Sequence, residues 1–156
     1  MIIRRAEEKD IPMITKLGEG LTSLHLEFDP DYYVYDREGF SASFSQWLRT
    51  QIPLLTSLLL VAEENGNIVG FMSGFIKYLF PWYSIKRVGH ISFTFIDGNF
   101  RGRGIGSKLL AEAIAWFKSQ NLSYVELYAN EKNSPGLSFW KSHGFDDFQK
   151  FLRKRI

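Results

Sequence analysis

"GNFRGRGIGSKLLAEAIAWF", residues 98–117, is the stretch on which the reading of the chain turns. Four glycines and two arginines fall within its first nine residues, and an apolar-periodic run follows at once. Ile105, Leu109, Leu110, Ala113, Ile114 and Phe117 recur at helical spacing, which predicts an amphipathic helix from about 104 to 120. A basic, side-chain-poor loop therefore opens directly into a helix N-terminus. The first amides of such a helix lack partners and carry the positive end of its dipole, so an anion is the natural ligand.

The known phosphate loops separate by spacing. A P-loop requires Lys directly after its glycine, whereas "GIGSK" puts Ser107 between Gly106 and Lys108. The dinucleotide fingerprint G-x-G-x-x-G fails because Gly102, Gly104 and Gly106 alternate strictly. An RG-rich nucleic-acid segment would be longer and disordered rather than fused to a helix. Arg101 and Arg103 beside three alternating glycines leave two readings: a pyrophosphate cradle, or a tight strand-to-helix turn.

Outward from this loop, "RVGHISFTFI" (87–96) reads as a strand leading into it. "SLLLVAEE" (57–64) and "IVGFMSGFIKYLF" (68–80) read as strands joined by the hairpin signal "NGN". "IIRRA" (2–6) is a short strand, after which Asp10 caps a helix that carries Pro12 in its first turn and runs to Phe28. A turn-rich break at 28–36 precedes a second helix over 36–50 with Phe40, Phe44, Trp47 and Leu48 on one face. Beyond the central helix come a strand at 124–129, a short helix opened by Ser134–Pro135 and ended by Gly144, and a last strand at 145–156. The order β-α-α-β-β-β-α-β-α-β predicts a mixed sheet covered by helices, an α/β or α+β sandwich forming a single domain over 1–156.

Composition narrows the classes. Apolar residues at 45% and charged residues at 23% are globular values, and aromatics reach 16%. There is no cysteine, so disulfides, thiolate metal sites and a cysteine nucleophile are excluded, and no metal is expected. The opening "MIIRRAEEKD" lacks the apolar core of a signal peptide, and "IPLLTSLLLVA" (52–62) is too short to span a bilayer, so a soluble, cytoplasmic protein without a membrane partner is expected. Residues 1–80 carry 7 Lys/Arg against 11 Asp/Glu (net −4), and residues 81–156 carry 12 against 6 (net +6). The second half suits an anion and the first half a cation.

"RGRGIG" (101–106) fits R/Q-x-x-G-x-G/A, and "NSPGLSFWKSHGF" (133–145) resembles N-x-x-A-x-x-F-Y-x-x-x-G-F, with Gly136 in place of the Ala and Trp140 in place of the Tyr. On these motifs and the element order, the chain resembles the Gcn5-related N-acetyltransferases (GNAT) from end to end. The resemblance implies a mostly antiparallel sheet whose central strands splay, helices on both faces, and acetyl-CoA as cosubstrate. It places pantetheine against the main chain of Phe95 and Ile96, and the pyrophosphate on the amides of Arg101, Gly102, Arg103, Gly104, Ile105 and Gly106 with Ser107 close by. Asn133 then meets the cofactor near pantetheine, and Trp140 packs against it.

The catalytic groups of the family are not reproduced. Trp140 has only an N–H donor and is no acid for the leaving thiolate. The usual carboxylate positions hold Tyr128 and Ser92. His90, Ser92 and Thr94 are expected on one face of their strand, with His90 able to take a proton through water. Tyr128, sharing a face with Glu126 and Asn130, is a proton donor to the thiolate. His143 reads as a helix cap. The alternative to His90 is that no dedicated base exists and the pH limb follows the amine itself. A lysine-like amine of pKa about 10.4 lies roughly 3.4 units from neutrality at pH 7, about 4.6 kcal/mol, whereas an α-amine near 7.7 lies less than about one unit away. Glu27, Phe28, Asp29, Tyr32 and Tyr33 fall where the family builds its acceptor site and suit a cationic small-molecule or peptide amine. The competing readings are a CoA-binding module without catalysis and a nucleic-acid-binding protein, the second disfavoured.

Overall fold

A computed structural model describes all of residues 1–156. Five strands, β1 (Ile2–Arg5), β2 (Ser57–Glu64), β3 (Asn67–Tyr78), β4 (Arg87–Ile96) and β5 (Val125–Leu127), form one sheet in the order β1-β2-β3-β4-β5. All neighbours are antiparallel except β4 and β5, which are parallel. Helices α1 (Ile11–Phe28) and α2 (Arg37–Gln51) cover one face, and α3 (Ile105–Ser119) and α4 (Ser134–Ser142) the other. The mixed sheet covered by helices expected from the element order, mostly antiparallel as the resemblance implies, is the observed fold.

The near-continuous apolar run of β2 reflects burial on both faces. Leu58, Leu60 and Ala62 join Met72 and Ile91 against Leu109, Leu110, Ala113 and Phe117 of α3. Leu59 and Val61 join Phe71 against Ile14 and Leu17 of α1 and Phe44 and Leu48 of α2. Fully burying each such side chain contributes about 1.5–3 kcal/mol, so this double layer dominates the stability.

Three local expectations are corrected. Asp10 sits at the start of α1 but makes no side-chain cap to it. Its carboxylate instead receives both terminal nitrogens of Arg4, at 2.7 and 2.9 Å, and the amide of Glu7 at 2.8 Å. Buried to 4% exposure, it is held below the usual carboxylate range by the Arg4 hydrogen bonds, against the opposing effect of burial. The strand expected at 124–129 is only three residues long. No strand forms over 145–156. Phe145, Phe148 and Phe151 recur every third residue rather than every second, so a strand there would have no consistently apolar face to bury. Residues 146–156 are all exposed. No helix is long and apolar enough to cross a membrane.

Candidate active site

The short β5 creates the site. It pairs with β4 only at Gly89–Val125, His90–Glu126 and Ile91–Leu127. From Ser92 to Ile96, β4 has no neighbour on that side, and the two chains part. The amide of Asp97 donates to Val69 on β3 at 3.0 Å. Strand alternation then points the main-chain polar groups of Thr94 and Ile96 into the gap and those of Phe95 toward β3. Of the two main-chain positions expected to face pantetheine, Ile96 is turned to the gap and Phe95 away from it. The Thr94 hydroxyl is buried without a partner.

At the upper end of the gap stands the glycine loop. Gly102 and Gly104 both have φ of +74°, a left-handed conformation that excludes most side chains, and an added Cβ at either would meet only open space. Gly104 occupies the N-cap of α3 and has no side chain to cap it. The amides of residues 102–107 find no acceptor within the chain, whereas that of Arg101, expected in the cradle, is turned to the Gly98 carbonyl at 3.4 Å. Gly106 differs from the other two: it is buried, and a Cβ there would lie 3.1 Å from Phe139 of α4. Its lack of a side chain serves helix packing rather than access to an anion.

The two arginines brace the loop. Arg101 donates through Nε to the Ile96 carbonyl at 3.0 Å and lies over the Phe95 ring at 5.1 Å. Arg103 donates to Asn99, approaches Glu64 at 3.6 Å and lies over Phe100 at 5.0 Å. Ser107 and His143 meet at 2.9 Å, and His143 Nδ1 lies 2.8 Å from the Phe139 carbonyl. A carbonyl only accepts, so Nδ1 carries a proton and donates to Phe139. His143, read as a helix cap, does stand at the C-cap of α4 and also ties it to the first turn of α3. Asn133 caps α4 by accepting from the Gly136 amide at 3.1 Å. Trp140 packs edge-on against Phe139 and Phe145, 4.9 and 5.4 Å away.

At the lower end, where the gap closes, the expected face-sharing of His90, Ser92 and Thr94 fails. Gly74 pairs with Ile91 and Ser73 with Phe93, so Ser92 is an extra residue in a β-bulge. The bulge reverses the alternation. Thr94 stands opposite Met72 on the α3 side, whereas His90 stands opposite Phe75 on the α1/α2 side. Around His90 gather Phe75 at 5.0 Å and Tyr128 at 5.3 Å between ring centres. Lys77 and Glu126 form an ion pair at 3.2 Å beside them, with Lys77 Nζ 5.9 Å from the Tyr128 ring centre. Sequence reading missed Lys77, and named Glu126 only as sharing a face with Tyr128. The period-2 relation of Lys77 to Phe75 and of Glu126 to Tyr128 was visible, but the strand pairing that joins them was not. His90 is 8% exposed and its Nδ1 has no partner. Burial, then the Lys77 charge, lowers its pKa below the usual imidazole value, with Glu126 opposing. Tyr128 is 72% exposed at the vertex of the gap.

The α1–α2 connection lies over the β5–α4 connection. Lys132 donates to the Phe28 carbonyl at 2.6 Å, and Asn130 to the Tyr33 hydroxyl at 3.5 Å. Asp29 accepts the amides of Asp31 and Tyr32, and Tyr32 and Tyr33 meet edge-on at 4.9 Å. Phe28, Asp29, Tyr32 and Tyr33 are thus brought together. Glu27 is exposed on the last turn of α1, and its side chain makes no hydrogen bond or ion pair.

Residues 21–145 match the model of the acetyltransferase (GNAT) family, and the chain belongs to that family. It is 30% identical over 146 residues to an uncharacterized N-acetyltransferase of Archaeoglobus fulgidus, covering 91% of this chain and 90% of that one. An uncharacterized N-acetyltransferase of Methanocaldococcus jannaschii is 30% identical over 117 residues, 75% of this chain but only 50% of the relative's length. Among solved structures, a mutant of the BH1408 protein from Bacillus halodurans superposes with a TM-score of 0.90 at 20% identity, covering 100% of this chain and 99% of the other. A predicted acetyltransferase from Clostridium acetobutylicum, solved with acetyl-CoA, gives 0.75 at 21% identity over 99% and 95% of the two chains. An aminoglycoside N-acetyltransferase in complex with CoA gives 0.74 at 16% identity over 99% and 100%.

Proposed function

We propose that residues 1–156 form a single domain that transfers an acetyl group from acetyl-CoA directly to a primary amine of a small molecule or peptide. The observation that carries this reading is two sets of free backbone amides on one side of the molecule, those of residues 102–107 and the outward amides of Thr94 and Ile96. They lead from the N-terminus of α3 along the open edge of β4 toward the vertex, where His90 and Tyr128 meet. A pyrophosphate suits the first part, and an amide-rich pantetheine arm suits the second. The orphan Thr94 hydroxyl and the open space over Gly102 and Gly104 fit the same ligand.

Acetyl-CoA supplies an activated thioester carbonyl. The residues of the chain then have modest work. The outward amides of Thr94 and Ile96 supply donors along the gap, available to a developing oxyanion. The Tyr128 phenol, exposed at the vertex, protonates the departing thiolate. The amine loses its proton to water rather than to a dedicated base. His90 is enclosed by Phe75 and Tyr128 and its basicity is lowered, so it acts as part of the wall. The acceptor enters beside the α1–α2 loop, where Asp29, Tyr32 and Tyr33 suit a cation. Arg101 and Arg103 are both turned to contacts within the chain, which favours a small ligand over a nucleic acid at the glycine loop.

Release of free CoA from acetyl-CoA across a panel of amines tests the proposal. Turnover with at least one amine, and a thermal shift with CoA alone, are expected. Binding without turnover on any amine would make the chain a CoA-binding module, and salt-dependent oligonucleotide binding without CoA affinity would overturn the reading altogether.

A further inference from the structure

Segment 146–156 is attached in an unusual way. The last main-chain hydrogen bond before it joins the Phe145 amide to the Trp140 carbonyl, and residues 146–156 make none. Phe148, Phe151 and Leu152 are each at least 80% exposed, so apolar packing does not hold the segment either. Charges do. Lys141 meets Asp147 at 2.9 Å at its near end. At its far end Arg153 pairs with Asp29 and lies over the Tyr32 ring at 5.2 Å, while Arg155 approaches Asp31 at 3.7 Å. The guanidinium of Arg153 thus rests on the α1–α2 loop, at the carboxylate and the aromatic ring assigned above to a cationic acceptor.

We propose that segment 146–156 is a strap that closes over the acceptor side of the molecule through Arg153 and Arg155, and that molecules carrying two or more positive charges compete with it for Asp29 and Tyr32. Such acceptors open the strap, whereas amines with a single charge, spent on the reacting nitrogen, do not. The proposal rests on the reading of the α1–α2 loop as the acceptor side. The strap is weak enough to be displaced. Two exposed ion pairs and one exposed cation–π contact together supply at most about a hundredfold in favour of closure, from which the entropy of ordering the segment is subtracted. The contacts are screened by salt, so closure weakens as ionic strength rises.

Chymotryptic cleavage after Phe148 and Phe151 reads the strap directly, without any acetylation. At low salt, wild type is expected to be cut about three- to thirtyfold more slowly than Arg153→Gln, which removes one ion pair and the cation–π contact. Spermine, added at constant ionic strength, should speed cleavage of wild type toward the Arg153→Gln rate, and ethylamine should not. Asp29→Asn should be cut rapidly and ignore spermine. Equal cleavage of wild type and Arg153→Gln, no response to spermine, or protection that grows with protein concentration would each overturn the proposal. The last result would place the strap on a second copy of the chain. Acetylation gives a separate readout. Arg153→Gln should lower KM for spermine about fivefold or more and leave KM for acetyl-CoA unchanged. If spermine opens the strap but no amine is acetylated, the catalytic reading fails while the strap stands. If amines are acetylated and Arg153→Gln alters neither cleavage nor KM, the strap fails while the catalytic reading stands.

Discussion

The two ends of the gap are built from different material. The upper end, at the glycine loop, is backbone: free amides, two left-handed glycines and a helix dipole, with both arginines turned back to brace the loop. The lower end, at the vertex, is side chains: His90 and Phe75, Lys77 and Glu126, Tyr128. A backbone site depends on conformation and tolerates little. A side-chain site depends on which groups meet, and each contributes separately. Single changes should therefore be near-complete in effect at the upper end and graded at the lower.

Gly104→Glu tests the upper end and carries the largest expected effect. It places a Cβ at φ of +74° and a negative charge at the α3 N-terminus. At CoA a hundredfold above Kd, wild type should gain about 2.7 kcal/mol of stability, and the variant none. Left-handed strain also lowers its ligand-free stability by about 1–2 kcal/mol. A full CoA-induced thermal shift in this variant would place the cofactor elsewhere and erase the contrast between the two ends.

Tyr128→Phe comes next. Loss of the phenol should lower kcat about ten- to a hundredfold, at the modest end of general acid catalysis because a thiolate leaves readily. KM for acetyl-CoA should not change. A larger KM with unchanged kcat would show that Tyr128 binds ligand rather than moving a proton.

His90→Gln should reduce kcat/KM by less than about tenfold, well under the 10²–10⁴ of a general base. The rising pH limb should track the pKa of whichever acceptor is used, in wild type and variant alike. A limb that stays fixed when acceptors are exchanged, and vanishes in the variant, would make His90 the base. Stability supplies a second reading. The folded pKa of His90 lies below its unfolded value. Unfolded chains therefore take up the proton first, and the His90 contribution, complete above about pH 6.5, is lost as pH falls through the folded value. Urea titrations between neutral and mildly acidic pH should show wild type losing more stability than His90→Gln.

Trp140→Phe is the smallest. With no acidic proton to lose, kcat should stay within about twofold, and the thinner ring should cost about 1 kcal/mol of stability through its contacts with Phe139 and Phe145. A loss of several hundredfold in kcat in a folded variant would show that the indole takes part in the chemistry.

Much of the molecule was legible along the chain. The paired motifs at 101–106 and 133–145, the hairpin at 65–67 and the helical periodicity of α1, α2 and α3 follow from local rules: glycine for left-handed backbone, apolar spacing for a buried face, Ser-Pro for a helix start. These properties are fixed within a few residues, so the sequence by itself determined the elements up to α4, their order, the family and the position of the glycine loop at the N-terminus of α3. Tertiary structure decided what depends on pairing between distant residues. The bulge at Ser92 turned His90 and Thr94 to opposite faces, because one unpaired residue inverts a period of two. Pairing of β3, β4 and β5 brought Lys77 and Glu126 to His90. Packing against Phe139 gave Gly106 a role different from that of Gly102 and Gly104. The acidic loop at 29–31 and the arginines at 153 and 155, more than 120 residues apart, met only in the fold, because attraction between charges carries no local periodicity for a sequence to display.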